Sequence, residues 1–162
     1  MNREQILRSR IRLLTWLFII GLALSGVTAI PLQSEVSWLV NFLGNGEPSE
    51  SGRWLLRVHD ALIQTQAHYP FLFYGTDWLA FGHFMIAIVF IGALRDPIRN
   101  RWLFDFGIIA CVLVIPYALV FGDLRGIPFW WRLIDCSFGV FGCIPLWSCR
   151  KWTSELEQVV KN

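Results

Sequence analysis

The side chains of this sequence best placed to hold or move a proton sit inside, or at the ends of, long apolar stretches. His83 and Asp77 both fall in "YGTDWLAFGHFMIAIVFIGALRDP", Tyr74 to Pro97. Asp135 follows Arg132 by three residues in "WWRLIDCSFG", and Asp123 and Arg125 close the apolar run that holds Tyr117. Ionisable groups are costly within a bilayer, so each of these is a functional candidate by default. Three chemistries compete for them. A proton or ion path would use His83 with Asp135, because histidine titrates near neutrality and a desolvated carboxylate is pushed toward it. A metal site would join His83 to Asp135 or Asp77, with His59 and His68 as further ligands. Haem lacks a second axial ligand, since Met85 lies on another face from His83. The plain alternative is packing: end-of-helix carboxylates, an Arg132–Asp135 ion pair and a histidine satisfying a polar neighbour.

Spacing sorts the candidates. Thr76, Ala80, His83 and Ala87 share one helical face, and the small residues permit close helix approach, so His83 is expected to face protein. Asp77 lies six positions from His83, about 120° around the helix, and the two form no local ligand pair. HxxxH and HExxH spacings are absent. Gly139 and Gly142 lie on the face of Asp135, which should therefore point into a bundle. Tyr117, Asp123, Arg125, Arg132 and Asp135 then gather with Asp77 and His83 in one half of it. In the other half Asp105 stands within reach of Arg101 at i−4.

The elements that must position these groups are membrane-spanning helices. The chain is 55% apolar and 16% charged, with nine Trp and thirteen Phe among 162 residues. An average soluble domain carries about 25% charged residues. The apolar residues form four blocks, about 13–32, 76–94, 102–122 and 133–149. At 1.5 Å per residue a block of about 20 residues covers the roughly 30 Å hydrocarbon core. Pro116 and Pro145 mark kinks, tolerable where neighbours meet the freed carbonyls. Val27-Thr28-Ala29 resembles a signal-peptidase site, but the block and the basic segment before it are both long, so an uncleaved first helix is preferred.

Lys and Arg set the orientation. Ten fall in the segments that share a side with the N-terminus: Arg3, Arg8, Arg10 and Arg12, then Arg95, Arg99 and Arg101, then Arg150, Lys151 and Lys161. Four, Arg53, Arg57, Arg125 and Arg132, fall on the other side. The positive-inside bias places both termini in the cytoplasm. Trp102 and Trp152 then flank the inner interface, and Tyr74, Trp78, Trp130 and Trp131 the outer. Between the first two spans lies an outer segment, 33–75. "GNGEPSESG" reads as its loop. Arg53, Arg57, Asp60 and Gln64 then recur at helical spacing opposite Leu55, Val58 and Leu62, an amphipathic helix ending near Tyr69-Pro70. The tail, 150–162, reads as a short frayed extension.

The strings "YGTDWLAFGH", "RDPIRN" and "IPFWWRLIDCSFG" resemble those of small uncharacterised bacterial four-helix integral membrane proteins. That resemblance covers Leu13 to Lys151 and implies a bacterial inner-membrane setting, with no activity, cofactor or partner attached. Cys111, Cys136, Cys143 and Cys149 form no CxxC pair and sit in apolar blocks, as buried cysteines do. No phosphate loop, GxSxG elbow or kinase motif is present, and Arg is spread too widely for a nucleic-acid surface. The sequence therefore predicts an all-α polytopic membrane protein. It is a single membrane domain of four spans with an extracytoplasmic amphipathic helix between the first and second. No cofactor is expected, and the expected partners are the lipid bilayer and another membrane protein or a second copy of the chain. A binding or accessory role ranks first, a proton, ion or metal site second, and a membrane-embedded enzyme last.

Overall fold

A computed structural model describes residues 2–43 and 49–161. Within them the chain forms six α-helices: α1 (Arg3–Ala29), α2 (Leu32–Leu43), α3 (Glu50–His68), α4 (Tyr74–Arg95), α5 (Arg101–Leu124) and α6 (Phe129–Lys161). A 3-10 turn, Pro70–Phe73, leads into α4, and no strand occurs among the described residues. Three of the helical stretches, α1, the 3-10 turn with α4, and α5, are long and apolar enough to cross a membrane. α6 carries the fourth predicted block but does not join them: Arg132, Asp135, Pro145 and Arg150 dilute its apolar stretch.

The breaks between helices follow from the local sequence. Pro31 lacks the N–H that α1 would need to continue, and its carbonyl instead accepts the first bond of α2, from Glu35 N–H at 3.0 Å. Gln33, Ser34 and Glu35 break the apolar pattern at the start of the outer segment, which is nonetheless helical through Leu43. The loop read in "GNGEPSESG" lies mostly on residues 44–48, outside the described residues. Its last part starts a helix instead. Ser49 is the N-cap of α3, its hydroxyl accepting from Gly52 N–H at 3.2 Å. The predicted end of α3 is where the chain places it, with Tyr69 N–H closing on the Thr65 carbonyl at 2.7 Å just before Pro70.

"RDPIRN" is a turn built to join two helices. The Asp96 carboxylate accepts from Arg99 N–H at 3.0 Å. The Asn100 side-chain amide donates to the carbonyls of Gly92 and Asp96, at 3.0 and 2.9 Å. Each of these carbonyls also accepts a backbone N–H, from Asp96 and from Asn100 at 3.0 and 3.1 Å, so one Asn side chain reinforces the end of α4 while its own carbonyl opens α5.

The chain divides into two compact units. One, here the terminal unit, comprises 1–21 and 87–162; the other, the central unit, comprises 22–86. In the terminal unit α5 and α6 pack antiparallel along their length. Cys136 meets the Ile115 carbonyl, Gly139 seats against the Cys111 carbonyl, Leu146 fills the space over Gly107, and Arg150 pairs with Asp105. Phe90, Phe104, Leu103, Leu146 and Leu156 are fully buried, as is Ile11 of α1. The tail is not frayed: α6 runs unbroken to Lys161, burying Thr153 and Leu156. Thr153, Leu156 and the half-buried Val159, three residues apart, continue the helical face, a pattern hidden by the charged residues between them.

In the central unit α2 packs on α3, and Leu55 is buried. Gly26 of α1 accepts the ring of Phe84 and the Ala80 backbone of α4 so closely that a Cβ would stand 2.7 Å from the ring. The small-residue face of α4 is therefore a contact face there. Trp38 and Phe42, stacked at 5.4 Å on α2, are 66% and 72% exposed.

Candidate functional site

The predicted polar cluster divides between the two units. Asp77 and His83 belong to the central unit, and Tyr117, Asp123, Arg125, Arg132 and Asp135 to the terminal unit. His83 is half-buried, and its Nδ1 lies 2.8 Å from the Leu79 carbonyl one turn back on α4. Nδ1 therefore carries the proton when the ring is neutral, leaving Nε2 as the acceptor. Asp77 is exposed in the first turn of α4, a favourable place for a carboxylate at the positive end of the helix dipole. Tyr74, Trp78 and Phe81 pack edge to face around it.

In the terminal unit Arg132 is the organising residue. The sequence suggested a pair with Asp135 on the same helix. Instead Arg132 reaches across to α5, where its Nη1 lies 3.0 Å from Asp123 and donates to the Leu119 carbonyl at 3.1 Å. Gly122 makes this possible, because a Cβ there would stand 2.6 Å from the Arg132 side chain. Packing between helices thus outcompetes the local i,i+3 geometry, since a cross-helix partner satisfies a carbonyl as well as a carboxylate. Asp135 is half-buried and has no ion-pair partner among the described residues. Tyr117 is 63% exposed and stacks on Phe121 at 4.4 Å, turned away from the helix contact. Arg125 is exposed beyond the end of α5.

Asp105 shows the same preference. Its expected neighbour Arg101 turns to α6, 3.4 Å from the Ser154 hydroxyl and 3.7 Å from Glu157. Asp105 pairs with Arg150 of α6 instead. Within neither unit do three or more His, Cys, Asp or Glu side chains of the described residues gather closely enough to hold a metal ion. His59 stands 3.6 Å from Asp60, and His68 turns to the Gln64 carbonyl of its own helix. The four cysteines are unlinked; Cys149 is wholly buried, its thiol between the Thr15 hydroxyl and the Ile11 carbonyl of α1 at 3.8 and 3.7 Å.

A polar cavity not anticipated from the sequence lies elsewhere in the terminal unit. A cleft of about 300 Å³ opens between the first turns of α1 and the end of α4. Arg8, Arg12 and Arg95 line it with Gln5 and Ser9, over a floor that includes the buried Ala93 and Pro97. Arg8 spends its Nε on Glu4 at 2.8 Å. Arg12 and Arg95 are exposed and have no acidic partner among the described residues. In the sequence these arginines counted only as orientation charges; their convergence from positions more than 80 residues apart needs the fold.

No family model, curated protein or solved structure matches this chain.

Proposed function

We propose that this chain is a four-span bacterial inner-membrane protein with both termini in the cytoplasm, acting as a binding or accessory protein without catalysis. The observation that carries the membrane reading is the apolar surface left open on its longest helices. Leu13, Leu17, Ile20 and Leu24 on α1, Leu79 and Ile88 on α4, and Ile109 and Leu113 on α5 are all about half exposed or more. Soluble proteins rarely expose contiguous apolar surface on this scale, whereas lipid covers it without cost. Packing supports the fourth span. α6 lies antiparallel against α5 from the Cys136–Ile115 contact to the Arg150–Asp105 pair, so residues 133–149 sit at the depth of a helix apolar enough to cross. The ten-to-four distribution of Lys and Arg then supports cytoplasmic termini.

Binding is favoured over transport or chemistry because ion pairs join α5 and α6 and Asp135 is left as a single half-buried carboxyl rather than part of a polar path. Arg132 holds Asp123 and Arg150 holds Asp105, which ties helices together. The exposed aromatic residues of the outer segment, Trp38, Phe42, Tyr69 and Phe71, suit contact with lipid or with another membrane protein. Chemical cross-linking in native membranes, followed by purification, tests the accessory role: one stoichiometric partner supports it, and a chain recovered only as a monomer counts against it. Labelling of single cysteines placed at both termini and at Arg57 tests the topology. Termini reached from outside the cell would overturn it.

The second reading, proton or ion passage, rests on Asp135, half-buried in α6 without an ion-pair partner. Proteoliposome flux that is unchanged by Asp135→Asn and by His83→Ala removes it.

A further inference from the structure

We propose that the cleft lined by Arg8, Arg12 and Arg95 binds the phosphate of an anionic phospholipid headgroup. The inference rests on the membrane reading above and adds a ligand class to it. Its first support is charge. Three arginines from two elements line a cavity of about 300 Å³, and among the described residues only Arg8 of the three has a carboxylate partner. Like charges gathered this way repel one another, and an anion seated between them reverses the sign of that interaction. Guanidinium forks match phosphate oxygens in pairs, which a point charge such as Lys does not. Arg8 uses only Nε on Glu4, so its terminal nitrogens remain for a ligand. Ser9 and Gln5 add neutral donors; Gln5 accepts from Asn2 N–H through its oxygen, at 3.2 Å, which leaves its amide N–H groups free.

The second support is position, and it favours a lipid over free phosphate. Arg12 is the last charged residue before the apolar run "LLTWLFII" of α1, and Arg95 ends the apolar run of α4. The cleft therefore stands where hydrocarbon gives way to headgroups, at the face where basic pockets between helices meet anionic lipid. Trp16, one turn beyond Arg12, is exposed, as is Ile88, which shares the Arg95 face through Ile91. A headgroup in the cleft would lay its acyl chains over these side chains, while a free anion would leave them unused.

Native mass spectrometry of the purified full chain, offered phosphatidylglycerol and phosphatidylcholine together, tests this. The expected result is selective retention of phosphatidylglycerol, weakened about tenfold or more by the paired substitution R12Q/R95Q, as loss of charge-assisted hydrogen bonds implies. Arg99→Gln removes an equal kind of charge from the α4–α5 turn, outside the cleft, and should leave retention unchanged. Equal retention of the two lipids overturns the proposal, as does an equal loss in Arg99→Gln. Displacement of phosphatidylglycerol by inorganic phosphate would reassign the cleft to a free anion. An alkaline carbonate wash of membranes separates the two levels of the argument. A chain released by the wash overturns both the membrane reading and this one, and a chain retained without lipid selectivity overturns this one alone.

Discussion

At the scale of single residues, the informative side chains are those whose partners differ from their sequence neighbours. Arg132 is mostly buried while Asp123 is 72% exposed, so their ion pair is well screened on one side. Such half-exposed pairs contribute about 1 kcal/mol or less. The bond from Arg132 to the Leu119 carbonyl, on the shielded side, should matter more. Asp123→Asn is therefore expected to cost under about 1 kcal/mol of unfolding free energy, and Arg132→Ala about 1–3 kcal/mol. Equal costs in a denaturant titration would show that the carboxylate carries the whole interaction. Thr153 presents the opposite case. It is fully buried, and its hydroxyl has no hydrogen-bond partner among the described residues. A buried hydroxyl left unpaired costs about 1–3 kcal/mol, so Thr153→Val should raise the unfolding midpoint or leave it level. A clear fall would mean that the hydroxyl has a partner in the working protein.

At the scale of elements, helix contact depends on where side chains are missing. Gly139 lies against the Cys111 carbonyl and the Val114 side chain with no room for a Cβ, whereas Gly82 has nothing within 4 Å of that position. Gly139→Leu must force α5 and α6 apart, and overpacking of this kind costs about 1–3 kcal/mol or more. Gly82→Ala should instead gain a few tenths to about 1 kcal/mol, from helix propensity alone. Cross-linking between cysteines introduced on α5 and α6 reads the first effect: its yield should fall in Gly139→Leu and hold in Gly82→Ala. Unchanged yield in both would refute the close-packed seam. The small-residue face around Asp135 was legible in the sequence because glycines at i+4 and i+7 share a face on any helix. The partner of Arg132 was not. It depends on the register between α5 and α6, which the turn at Gly126, with its φ of 68°, helps to set. Likewise the charged face of α3 and its end at Tyr69-Pro70 could be read from the sequence, while its start at Ser49, within the expected loop, and α2, whose polar first turn resembles a loop, could not.

At the scale of the molecule, the two units differ in how much they bury. The terminal unit holds nearly all of the fully buried side chains, and its core continues past the apolar stretch of α6 into the last turns, where Leu156 and Thr153 are completely covered. The central unit buries Leu55 on α3, while Leu56 and Ile63 on that helix stay exposed. Local stability follows buried apolar contact, so the segments of these units outside the apolar spans should open at different rates. Hydrogen exchange should therefore be slower over 150–161 than over 50–68, though both helices are amphipathic and both carry exposed charge. Leu156→Ala, which leaves a cavity costing about 2–5 kcal/mol, should abolish that difference. Acid should narrow it as well. The hydrogen bond and charge of Lys161 hold the Glu157 carboxyl below its ordinary value. A carboxylate held low in the folded chain stabilises it fully above its unfolded value, and that stabilisation is lost as pH falls through the folded one. Exchange over 150–161 should thus quicken on acidification below about pH 4.5, once corrected for the intrinsic chemistry of exchange. The shift should be small, because the pair lies at an exposed helix end and is screened by solvent. Lys161→Gln should shrink this acid step, with Arg101 at 3.7 Å from Glu157 sustaining the rest, but leave the larger protection that Leu156 confers, and loss of both together would show that the terminal ion pair, not the buried leucine, anchors the tail.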